Sequence, residues 1–163
     1  MGAVVVLIWN TCLLQAGPQD YPHSRIFAGL LVAANISLST ALTAVYLEET
    51  VALWLPLIIM ALAIGMTWTL LALRGFTQRA VQTVAALAGS DMLLTLAQAP
   101  IILSSNPGEP NLAILFVWIW GIAVTGHILR HALSVSMLAG VMIGIGYFVI
   151  SVSIAELILP QGG

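Results

Sequence analysis

The sequence predicts an all-α integral membrane protein, a bundle of five transmembrane helices with a short interfacial or re-entrant helix at its amino terminus. Three observations predict it. The 163 residues are 61% hydrophobic and 6% charged, with a mean hydropathy of +1.10, whereas soluble domains carry roughly a quarter charged residues. Five apolar stretches are close to the roughly 20 residues that a helix needs to cross about 30 Å of hydrocarbon at about 1.5 Å per residue. The charges are four arginines and six acids; all but one fall at or near the ends of those stretches, and the exception, Asp91, falls in the middle of one.

Taken in order, residues 1–25 form a connector and helix of their own. Ala3 to Ala16 is apolar but interrupted by Asn10 and Gln15 and followed by Gly17-Pro18-Gln19-Asp20-Tyr21-Pro22. At about 14 residues it is short for a span. It has neither the basic start nor the small-x-small site of a secretory signal, and Val6 stands where myristoylation needs Ser or Thr. The expectation is a helix lying on or re-entering the cytoplasmic ends of the bundle; a sixth span is the alternative. Residues 26–163 form the transmembrane domain, with spans near 26–47, 51–73, 80–103, 112–129 and 132–156. They are separated by Glu48-Glu49-Thr50, by Arg74 to Arg79, by Ser104 to Asn111 with Pro107, Gly108 and Pro110, and by a tight turn around Arg130 and His131. These runs are continuously apolar, which excludes the alternating pattern of barrel strands.

Arg25, Arg74, Arg79 and Arg130 all fall on one side of this arrangement, so the positive-inside rule predicts a cytoplasmic amino terminus and a carboxyl terminus across what is expected to be a bacterial inner membrane. Glu48, Glu49, Glu109 and Glu156 lie on the other side. With no lysine and no basic patch, nucleic-acid binding is excluded. The expected partners are the bilayer, other membrane proteins or a second copy of the chain. Cys12 is the only cysteine and forms no intramolecular disulfide.

An ionised carboxylate at the depth of Asp91, roughly 16 Å from the cytoplasmic end of its helix, costs about 3 kcal/mol. It is therefore expected to face the bundle interior, to carry a proton or to hold a polar partner. Thr95 and Gln98 follow at i+4 and i+7 on one stripe. Asn35 sits at nearly the same depth on the first span, with Ser39 and Thr43 behind it. An amide facing a carboxyl across two helices satisfies both groups. Asp91 thus reads either as half of a packing clasp or as a functional acid.

A second cluster, His127-Ile128-Leu129-Arg130-His131, puts two imidazoles on one helix face beside an arginine. Three readings are open: a metal site, for which two histidines are too few; the mouth of a proton relay to Asp91, about 10 Å away in depth; and an interfacial belt touching headgroups or loops. No metal set, cofactor-binding motif or catalytic group is predicted. Gly140 and Gly144 form a GxxxG pattern with Gly146 nearby, expected to pack within the chain or to form a dimer face. Gly89 beside Ser90 and Asp91 marks a close contact or a bend. Trp9, Trp54, Trp118 and Trp120 suit interfacial anchoring, and Pro56 and Pro100 are placed where a helix tolerates or absorbs a kink.

Five spans, short connections and a glycine-rich last span resemble the Yip family, Rab-GTPase-interacting membrane proteins whose domain also occurs in bacterial chains of unassigned function. In the sequence the likeness is carried by Arg74-Gly75-Phe76-Thr77-Gln78-Arg79, similar to that family's basic-aromatic approach to its third helix. The long hydrophilic leader of the eukaryotic members is missing, so the resemblance implies neither Rab binding nor any site residue. The expected function is a non-catalytic scaffold or accessory subunit of a membrane assembly. The alternative is a small transporter or proton-linked subunit using Asp91.

Overall fold

Among the described residues this pattern builds six α-helices: α1 (Gly2–Cys12), α2 (Arg25–Thr43), α3 (Glu49–Leu73), α4 (Ala80–Ser104), α5 (Leu112–Leu133) and α6 (Met137–Ile158). The computed structural model describes residues 2–45, 47, 49–104 and 111–158. Glu48, Pro107, Gly108, Glu109 and Pro110 lie outside the described residues. Five helices, α2 to α6, are long and apolar enough to cross a membrane; α1, with 11 residues, is not.

The helix ends follow from local chemistry. Ser24 Oγ accepts from Phe27 N–H at 3.3 Å, Asn111 Oδ1 from Ala113 N–H at 2.9 Å and Ser136 Oγ from Ala139 N–H at 3.3 Å, each satisfying a first-turn donor that has no partner in its own helix. At the end of α3, Gly75 takes φ +73°. Phe76 N–H then bonds Leu71 O at 2.7 Å and Gly75 N–H bonds Ala72 O at 3.0 Å, the paired closure a left-handed residue permits. α1 closes in the same way on Leu14 (φ +62°), with Gln15 N–H on Asn10 O and Leu14 N–H on Thr11 O. A leucine in that conformation costs roughly 1–2 kcal/mol, offset by its packing against the core.

Two expected boundaries are corrected. α2 ends at Thr43 rather than near 47. Arg130 and His131 are in the last turn of α5, not in a turn between helices, because nothing at those positions breaks the helix. The chain reverses instead at Ser134 (φ +53°), and Ser136 caps α6.

The end of α5 shows complete backbone accounting. Val135 N–H bonds Arg130 O at 3.0 Å, Arg79 Nη1 donates to His131 O at 3.3 Å and Ala132 O at 3.0 Å, and Arg74 Nη2 donates to Leu133 O at 3.3 Å. All four terminal carbonyls thus have donors, and two positive charges sit at the negative end of the helix dipole. Arg79 Nη1 also reaches Ser134 Oγ at 2.9 Å, and its guanidinium covers the Phe76 ring at 4.4 Å. Arg79→Ala is expected to lower stability in detergent by about 1–2 kcal/mol, with Arg79→Lys recovering part of it. Equal melting of the alanine variant and the parent would sink this assignment.

α4 is the central helix, touched by α1, α2, α3 and α5, and α5 packs most closely on α6. Its middle is small: Ala85, Ala86, Ala88 and Gly89 are buried, which lets three neighbours approach its backbone. A Cβ at Gly89 would lie 3.1 Å from Ile8 Cγ1, so this glycine is the seat of α1.

The stretch between α1 and α2 runs from mid-bundle toward the arginine end, between α4 and α5, and is held by donors from both. Gln82 Nε2 donates to Tyr21 O at 2.6 Å, His127 Nε2 to Ala16 O at 3.1 Å and Trp120 Nε1 to Cys12 O at 3.0 Å, while the Cys12 thiol reaches Ser90 O at 3.8 Å. Ala16, Gly17, Pro18 and Tyr21 are buried. Burial pushes the Tyr21 phenol up to about 12, so it stays protonated while paired with Thr11 Oγ1 at 3.0 Å. Non-helical backbone buried among helices needs protein cover and hydrogen-bond donors, and here it has both.

Candidate functional site

Asp91 lies near the middle of α4 and Asn35 near the middle of α2. Asn35 Nδ2 donates to Asp91 Oδ2 at 2.9 Å and to Ala88 O at 3.2 Å. Asn35 Oδ1 accepts from Ser39 Oγ at 3.0 Å, and Thr43 Oγ1 donates to Ser39 O at 2.7 Å. Depth counting along two helices thus brings together the pair that the sequence sets level. Asn35 is buried, at 1% exposure. Asp91 is exposed, and the space it faces is partly open rather than enclosed.

That space consists of two cavities. The larger, ≈ 240 Å³, lies among α3, α4, α5 and α6; the smaller, ≈ 190 Å³, lies chiefly between α2 and α3. Asp91 and Tyr147 line both. The smaller cavity carries the Asn35, Ser39 and Thr43 stripe toward the end of α2. The larger extends toward the arginine end as far as Leu70 and Leu129, past Thr67 and Thr125, and in the other direction to Gln98, Trp118 and Ser151. Taking about 1.5 Å per residue, Leu70 and Leu129 lie about 5 Å from the arginine ends of their helices and Thr43 about 27 Å from that of α2. Between them the cavities extend over most of the bundle's height, with Asp91 where they meet. Among the described lining residues Asp91 is the only charged one.

The other expected residues divide. Gln98 lines the larger cavity, and its Oε1 accepts from Trp118 Nε1 at 3.3 Å. Thr95 lines neither cavity. At about 100° per residue, Leu94 and Gln98 sit to one side of Asp91 and Thr95 about 40° to the other, so the cavity-facing stripe is Leu87, Asp91, Leu94 and Gln98. His127 lines neither cavity: its buried ring holds Ala16 O, while its α5 neighbours Thr125 and Leu129 turn to the larger one. His131 meets the His127 ring edge-on at 4.7 Å and accepts from Arg130 Nη2 at 3.2 Å. Among the described residues no group of three or more His, Cys, Asp or Glu is placed to hold a metal ion.

Gly140 and Gly144 are used inside the chain. A Cβ at Gly140 would run into Gly126 O and lie 2.9 Å from Arg130 Cβ, and one at Gly144 would lie 3.1 Å from Ile122 O. Gly146 has nothing within 4 Å and takes no part. Tyr147, Thr67, Thr125 and Ser151 were not singled out by the sequence, although the depth count that paired Asn35 with Asp91 puts Tyr147 level with both.

No family model, no curated protein and no solved structure matches the chain. The site is therefore read from its own chemistry.

Proposed function

We propose that this chain is a small proton-linked membrane transporter in which Asp91 is the proton-carrying group. The observation that supports it is a single carboxyl bordering two cavities that approach opposite ends of the bundle. A cavity of this volume has room for several waters where polar groups can hold them, as Asp91, Thr67, Thr125, Gln98 and Ser151 can along the larger one, and an acid at such depth facing a cavity is the arrangement found in ion and proton pathways. Under the positive-inside rule the arginine end is cytoplasmic, in a bacterial inner membrane, and α1 with its connector re-enters from that side.

A scaffold or accessory subunit that binds other membrane proteins is the second reading, favoured by the Asn35 bonds to Asp91 and Ala88. The Yip-like architecture fits either reading and assigns no residue. Water access separates them. With Cys12 replaced by alanine, Thr43→Cys and Thr125→Cys are expected to react with a membrane-impermeant thiol reagent applied from the side each cavity approaches, while Leu115→Cys, on an exposed apolar face, stays unreacted. Protection of both cavity positions would remove the transporter reading. Under the scaffold reading Asp91→Asn, which keeps an acceptor for Asn35, leaves partner binding intact; under the transporter reading it assembles and does not transport.

A further inference from the structure

We propose that the larger cavity binds a small monovalent organic cation, its charge beside Asp91 and its apolar body against Trp118 and Phe148. The inference rests on the transporter reading and names the substrate class of that same site. Three observations carry it. Asp91 is the only charged side chain among the described residues of the lining, so an anion would meet like charge with no basic partner, and a neutral solute would leave the carboxyl unused. The walls around it are apolar and aromatic. Met60, Met66, Ile122 and Leu94 surround the space, and the Trp118 and Phe148 rings stand 5.9 Å apart at 54°, with Trp118 fixed by its bond to Gln98. Aromatic faces attract a desolvated cation, and thioethers adapt to an irregular apolar body. Finally, the described lining offers one carboxylate and scattered hydroxyls. A hard divalent ion such as calcium or magnesium needs six or more close oxygens, so a cation whose charge is already shielded by carbon fits this donor set better.

Tyr147 contributes a hydroxyl near the depth of Asp91, roughly 15 Å from the arginine end of α6. Trp118 lies about 6 Å higher on the same scale. That separation suits a compact ammonium head joined directly to one ring. No covalent step is involved; the cation takes a place that a proton or water otherwise fills.

The test is equilibrium binding of benzyltrimethylammonium to the purified full chain in detergent, beside its uncharged carbon isostere neopentylbenzene. The cation is expected to bind saturably and at least about tenfold more tightly than the isostere. Asp91→Asn should weaken it at least about tenfold, and Trp118→Leu roughly two- to thirtyfold. Equal binding of cation and isostere, unchanged binding in both variants, or no saturable binding overturns the proposal. Should Asp91→Asn aggregate, Trp118→Leu and the isostere still decide, since Trp118 is 46% exposed and its replacement removes little packing. Failure here with both cavity cysteines reactive would leave a transporter of another substrate. Unreactive cysteines would remove the transporter itself.

Discussion

Replacing Gly140 with leucine is expected to separate α5 from α6 and cost at least about 3 kcal/mol, the upper end of overpacking penalties. Even a methyl group there would meet backbone: Gly126 O and, at 3.2 Å, Arg130 N. The opposing surface cannot yield by rotating a side chain, because a Cβ at Gly126 would itself lie 2.8 Å from Val141 Cα. The contact is backbone on backbone, the close approach that small residues permit between apolar helices. Damage would spread to the end of α5, where Arg79 and Arg74 hold the last carbonyls. Gly146→Leu, on the same helix with nothing within 4 Å, is expected to change stability by less than about 0.5 kcal/mol. Thermal unfolding and gel filtration in detergent would check the pair, and equal behaviour of the two variants would refute the assigned interface.

Asn35→Leu is expected to cost about 2–3 kcal/mol. It removes the donor to Asp91 Oδ2 and Ala88 O and the acceptor for Ser39 Oγ in one step, and unpaired polar groups at buried positions cost more than their bonds contribute. Asp91→Asn keeps the acceptor and should cost less than about 1 kcal/mol. The double variant Asn35→Leu with Asp91→Leu should recover part of the loss, since removing both partners is milder than stranding one. A double-mutant cycle on unfolding free energies measures this. Independent, additive losses would mean that the two side chains are not coupled.

These expectations show which parts of the molecule were legible in its residues. The five long apolar helices could be read from run length and composition, and Asn35 could be matched to Asp91 because rise per residue fixes height along a helix. Helix rotation could not. In a soluble helix the apolar stripe points inward, but when every face of α3 or α6 is apolar there is no such stripe to read. Thr67, Thr125 and Tyr147 therefore remained isolated hydroxyls, and Thr95, which shares a helix stripe with Asp91 and Gln98, lies just beyond the side that faces the cavity. The partner of His127 was equally hidden, because Ala16 presents only a backbone carbonyl and its side chain gives no signal. Gly89 was readable as a close contact, though not as the seat of Ile8.

The segment between α1 and α2 also sets an order of events. Its anchors on α4, Gln82 and Ser90, follow Tyr21 and Cys12 by 61 and 78 positions, whereas those on α5, Trp120 and His127, follow Cys12 and Ala16 by 108 and 111. At roughly 5–20 residues per second of synthesis, the seat of α1 at Gly89 therefore exists on the order of a few seconds before α5 closes over it. A chain halted before α5 would keep that seat and lack the bonds from Trp120 and His127.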